Sequence, residues 1–188
     1  MKTPRLALAA LLALPLSAAE APAPETLAAQ ARGLAGNFML SLQGELFAAM
    51  KAGGPEKSLD VCKVRAPEIA KASAAGTPWK VGRTALKVRN PQNAADAWEA
   101  ARLEEFRKRL ASGEGLAALE AWEVVDVEGR RTFRYAKAIG TTSPCLNCHG
   151  ADLKPEVAAK LKELYPDDQA VGFAAGQLRG AFTLSRPL

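Results

Sequence analysis

The sequence predicts an α+β domain, and three observations carry that prediction. Apolar side chains recur every three to four residues over the first part of the chain, then alternate in short β-branched runs. Two of those runs flank Glu128-Gly129-Arg130, which is a hairpin signal. At 188 residues with 48% apolar side chains, the chain is expected to bury one core, so residues 26–188 are read as one domain.

Residues 1–19 stand apart from that domain. Lys2 and Arg5 precede an apolar run from Leu6 to Leu16, and Ser17, Ala18 and Ala19 supply small residues at a cleavage site. This is the pattern of a secretory signal peptide, so the mature chain is expected to begin at Glu20 and to be periplasmic. A run of about eleven apolar residues is too short for a hydrocarbon layer of ~30 Å, and no later stretch is longer; stable membrane insertion is not expected. Loss of Lys2 and Arg5 takes the basic count from 25 to 23, against 20 acidic residues. That balance, with the basic residues scattered, argues against a nucleic-acid partner.

Residues 20–25 (EAPAPE) read as a Pro/Ala linker. From Thr26 to Met50, Leu27, Ala31, Leu34, Phe38, Leu42 and Leu46 mark a long amphipathic helix. Ala52-Gly-Gly-Pro55 breaks it, and Glu56 to Ala74 forms a second helix that carries Cys62 and is kinked or divided at Pro67. Trp79 to Val88 alternates as a strand, and Asn90-Pro91-Gln92-Asn93 is turn chemistry. Ala94 to Ser112 is helical, with Trp98, Leu103, Phe106 and Leu110 inward, and is closed by Gly113 and Gly115. Trp122–Val127 and Thr132–Ile139 make the hairpin, and Gly180–Ser185 is the last strand. Trp79 and Tyr135 are read as core residues.

The chemistry lies in Cys145-Leu-Asn-Cys148-His149, a CxxCH sequence with the spacing that thioether attachment of haem requires, the histidine reaching the iron. A signal peptide strengthens this reading, because in bacteria the attachment takes place outside the cytoplasm. The alternatives are a disulfide, a dithiol redox pair, or a zinc site, for which Cys62, Cys145, Cys148 and His149 would suffice in number. His149 is the only histidine, so a sixth iron ligand must be Cys62, Met39 or Met50, a lysine, water or nothing. Both methionines are read as core packing. Arg83, Arg89, Arg134 and Asn90 are candidates to meet the haem propionates. No nucleophile has a base, so the chain is read as a non-enzyme, with peroxidase-like activity the only one left open.

Several segments then carry a resemblance. Cys62-Lys-Val-Arg-Ala-Pro67, Val81-Gly-Arg-Thr84 through Asn90-Pro91-Gln-Asn93, Phe133-Arg-Tyr135, Cys145-Leu-Asn-Cys-His149-Gly, Tyr165-Pro-Asp-Asp168 and Gly176-Gln-Leu-Arg179-Gly-Ala resemble the PAS-like single-haem c-type family known from cyanobacteria. The resemblance implies a PAS-like antiparallel sheet with long N-terminal helices packed around one covalent haem c. It implies attachment at Cys145 and Cys148, axial ligation by His149 and Cys62, and a low potential. It further implies a redox or small-ligand sensor with a redox or signalling protein partner. A soluble electron-transfer cytochrome is the alternative.

Overall fold

Pro24 opens the first helix of the computed structural model, which describes residues 22–188. The signal peptide lies outside the described residues, as does the start of the expected linker. Pro24 and Glu25 belong to helix α1 (Pro24–Asp60) and not to that linker. Proline at the first helical position has its φ already set and lacks only an N–H that would be unpaired anyway. The break predicted near residue 53 is present as a kink: Gly53 (φ −167°, ψ 25°) and Gly54 (φ 71°, ψ −169°) leave the helical region ahead of Pro55.

The predicted helix from Glu56 to Ala74 is divided by a π-turn at Val61–Arg65, before α2 (Ala66–Ala74). The Ala66 N–H donates to the Val61 carbonyl, five residues back. Pro67 supplies the physical reason, since it has no N–H for the Lys63 carbonyl and its ring would crowd that carbonyl in an α-turn. Cys62 sits in the widened turn.

Four antiparallel strands follow in the order β1-β4-β3-β2: β1 (Lys80–Thr84), β2 (Glu120–Val127), β3 (Arg130–Gly140) and β4 (Leu178–Pro187). β1 is shorter than the predicted Trp79–Val88, because Ala85 leaves the sheet and bridges to Ala94 instead. Helix α3 (Ala97–Ala111) starts later than the predicted Ala94, at a capping box in which Asp96 and Glu99 each accept the other's backbone N–H. β2 and β3 turn through Glu128 (φ 53°) and Gly129 (φ 77°), a two-residue loop with both φ positive, as the hairpin signal predicts.

One-turn α4 (Leu146–His149) and α5 (Pro155–Leu164) lie between β3 and β4. The sequence reading did not include α5, although Val157, Leu161 and Tyr165 recur at four-residue spacing.

The sheet is covered on both faces. Phe133 and Tyr135 of β3 and Phe182 and Leu184 of β4 point to α1 and α2, where they meet Leu27, Phe38, Ile69 and Trp79. Ala136 and Ala181 point to α3 and its Leu103 and Phe106. The core roles expected of Trp79 and Tyr135 hold, at 6% and 0% exposure. Met39 is exposed and is not a core residue.

Register slips once. Ile139 faces Gly180 while Gly140 faces Leu178, which leaves Arg179 as an extra residue in β4. Such a bulge reverses the facing of what precedes it. Leu178 accordingly packs on the α3 side with Ala181, and Arg179 is turned toward the other face.

Candidate haem site

The CxxCH segment follows the end of β3. A 3-10 turn (Ser143–Cys145) runs into α4, and Gly150 stops it at φ −69°, ψ 177°. A Cβ at Gly150 would lie 2.6 Å from the Leu146 carbonyl oxygen, so the tight exit after His149 needs glycine. Helical spacing puts Cys145 and Cys148 on one side of this turn. Cys148 packs with Leu59, Val157, Leu161 and Tyr165, and its Sγ is 3.9 Å from the Pro55 carbonyl oxygen. The Asn147 amide reaches the Met50 sulfur at 3.9 Å.

The His149 ring is fixed from behind. Its Nδ1 lies 2.7 Å from the Ala170 carbonyl oxygen. A carbonyl only accepts, so Nδ1 carries the proton and Nε2 keeps a free lone pair. Burial, with the charges of Arg89 and Arg179, pushes the imidazole pKa down to about 3, so the ring is neutral and ready to ligate. The Ala170 segment is itself pinned to the motif, with the Gly172 N–H donating to the Gly150 carbonyl and the Phe173 N–H to the His149 carbonyl.

Arg89 organises this arrangement from a buried position. Its Nε donates to Asp168 Oδ2 at 3.0 Å, and its Nη2 to the carbonyls of Cys148 (2.6 Å) and Ala170 (3.2 Å). Asp168 Oδ1 accepts the Ala170 N–H at 2.8 Å. The motif turn and the carbonyl that orients His149 thus hang on one guanidinium.

Cys62 follows three residues after Leu59, which packs against Cys148. Burial pushes its thiol pKa up, and the charges of Arg83, Arg89 and Arg179 oppose this, while Cys145 adds to the rise. Burial pushes Cys148 up to about 11, Arg89 opposes, and Cys62 and Cys145 reinforce the rise. All three cysteines are free thiols. The described residues contain no group of three or more His, Cys, Asp and Glu disposed to hold a metal ion.

The candidate propionate residues divide. Arg83 and Asn90 line a groove of about 260 Å³ together with Phe38, Ala70, Lys71 and Gln92. The Asn90 side chain accepts the Gln92 N–H at 3.0 Å, holding the turn at Pro91–Asn93. Arg89 is spent on Asp168 and two carbonyls. Arg134 lies on the α3 face, paired with Asp96 (2.7 Å) and Glu99 (3.0 Å); strand parity with Phe133 and Tyr135 sends it there. Roles for Asp168, Ala170 and Arg179 were missed; the resemblance drew attention to the segments of Asp168 and Arg179, and nothing in the sequence marked Ala170.

A four-stranded antiparallel sheet covered by helices on both faces defines a PAS-like α+β domain. The chain belongs to the Tll0287-like family, whose model matches residues 12–187. Among solved structures it is similar to the crystal structure of the cyanobacterial heme-protein Tll0287, with 28% identity and a TM-score of 0.59. That match covers 87% of this chain and 93% of the other. A search of curated proteins gave no match.

Proposed function

We propose that this protein is an exported c-type haem protein that senses redox state or a small ligand. One haem is attached through Cys145 and Cys148 and held axially by His149 and Cys62. The observation that carries the reading is the packing of the segment that leads into Cys62, through Pro55 and Leu59, against Cys148 of the CxxCH turn, next to a neutral His149 whose Nε2 is free. The donor set suits the group: two thiols at thioether spacing, one imidazole nitrogen and one further thiol. Family membership and the similarity to a cyanobacterial heme-protein support it.

Bound haem supplies a one-electron couple and an iron that takes diatomic ligands. The protein's own residues set its character. A thiolate from Cys62 favours ferric iron and a low potential. The carbonyl of Ala170 orients His149 and raises its basicity. Export to the periplasm rests on residues 1–19, and no helix among the described residues is long and apolar enough to cross a membrane.

The test is the visible spectrum of the exported protein from a host with cytochrome c maturation machinery, before and after dithionite, and then with CO. Covalent haem with a low-spin ferric thiolate spectrum, lost on reduction with CO binding, is expected for a sensor. Ligands retained in both states would indicate an electron carrier. An unchanged spectrum in Cys62→Ala would remove the cysteine ligand, and absence of covalent haem after maturation would overturn the reading.

A further inference from the structure

Two arginines of the site have no counter-charge. The Arg83 guanidinium makes no hydrogen bond or ion pair with any described residue and lines the groove beside α2. Its guanidinium carbon is 5.8 Å from the Phe38 ring centroid. Arg179 spends one hydrogen bond on the Lys87 carbonyl (3.1 Å), while its Nε is buried without a partner. The Nη1 of Arg89 is likewise buried and unpaired. Arg179 has no ion pair among the described residues, and the Asp168 carboxylate that acts on it is already paired with Arg89. Three guanidiniums therefore face one carboxylate. Burying charge without compensation is costly.

Their placement is built in. Arg83 projects from β1 opposite Phe182, on the face that carries α1. Arg179 reaches that face only because it is the extra residue of the β4 bulge. It stacks 5.3 Å from the Phe173 ring, which stands edge-on to His149 at 6.2 Å. The groove at Arg83 is lined by no residue of the CxxCH turn. Desolvation pulls the pKa of both arginines down, to about 10 for Arg179, as expected for cations that await a partner.

We propose that Arg83 and Arg179 form a clamp for a pair of carboxylates. Guanidinium forks match carboxylates bidentately, and two unpaired cations ask for two anions. This rests on the haem reading where the carboxylates are the haem propionates. A free dicarboxylate is the other source of the same chemistry.

The test compares melting temperatures of the full chain with and without covalent haem, for the parent protein, Arg83→Met, Arg179→Met and the remote control Arg102→Met. Each is measured with sodium succinate and with sodium chloride at equal ionic strength. In the haem-free chain both clamp variants are expected to melt above the parent, through relief of the unpaired charge. Succinate should stabilise the haem-free parent and not the variants. In the haem-loaded protein the sign inverts and both variants melt lower. Succinate without effect on the loaded parent identifies propionates as the occupants; stabilisation of the loaded parent identifies a free dicarboxylate.

Variants that shift both forms in the same direction, together with no succinate response, would overturn the clamp. Should the haem-free chain not melt cooperatively, the loaded protein decides alone. Loss of a clamp arginine should raise the pH at which the reduction potential bends with propionate ionisation, and an unmoved bend would also overturn it. Failure of the chain to acquire haem would refute the proposed function while leaving the succinate response to judge the clamp.

Discussion

Arg89 holds the carbonyl of Cys148 at 2.6 Å and, through the same nitrogen, the carbonyl of Ala170 at 3.2 Å. One side chain thereby ties the CxxCH turn to the loop that orients the only histidine.

Removing it should be expensive. Arg89→Met leaves Asp168 and two buried carbonyls short of a donor, and breaking a buried pair by deleting one partner costs about 3–5 kcal/mol. Asp168→Asn keeps an acceptor for the Ala170 N–H and should cost less. Chemical denaturation of the two variants checks the order, and equal losses would mean that the carbonyl contacts contribute nothing.

Acid should act through Glu120. Its carboxyl is held below the usual range by the Arg32 hydrogen bond, with burial opposing and Tyr135 adding a second bond at 2.7 Å. The unfolded chain therefore takes up the proton first as pH falls. The stabilisation is complete above the ordinary glutamate pKa and is lost as pH drops through the folded one. The stability gap between the parent and Glu120→Gln should narrow between pH 6 and pH 3 in urea titrations, and parallel curves would contradict this.

Gly180 and Gly82 should respond differently to the same change. A Cβ at Gly180 would sit 2.4 Å from the Thr84 carbonyl oxygen, inside the β1–β4 pairing, whereas at Gly82 it meets only the Thr183 methyl at 3.7 Å. Gly180→Ala is expected to cost about 1–3 kcal/mol as overpacking, with little loss for Gly82→Ala. Thermal melts of both variants decide it.

The β2–β3 turn offers a local test. Gly129 has φ 77°, and a left-handed conformation costs an L-residue roughly 1–2 kcal/mol. Gly129→Ala should lose about that much, measured by denaturation, and a neutral effect would mean that the turn can switch type freely.

What the sequence discloses follows from the range of the interactions. The kink at Gly53-Gly54, the Glu128-Gly129 hairpin and the CxxCH turn are set by neighbours a few residues away, and all three were legible. The π-turn at Cys62 is local too, but the sequence marks it only by Pro67, which reads equally as a plain kink. The bulge that redirects Arg179 depends on register against β3, which no stretch of β4 encodes alone. Arg89 was grouped with the propionate candidates because its partners lie 59, 79 and 81 residues away in sequence. Arg134 was the avoidable error, since alternation with Phe133 and Tyr135 already assigns it to the opposite face.

The place of β4 in the sheet governs when this chain can fold. The strand made last, Leu178–Pro187, lies between β1 and β3 and supplies the partner for both. Until it is synthesised, β1 has nothing to pair with, and Phe133 and Tyr135 lack half of their neighbours. Cys145 and Cys148 precede β4 in the chain, so the turn that carries them is synthesised before β1 and β3 gain their shared partner.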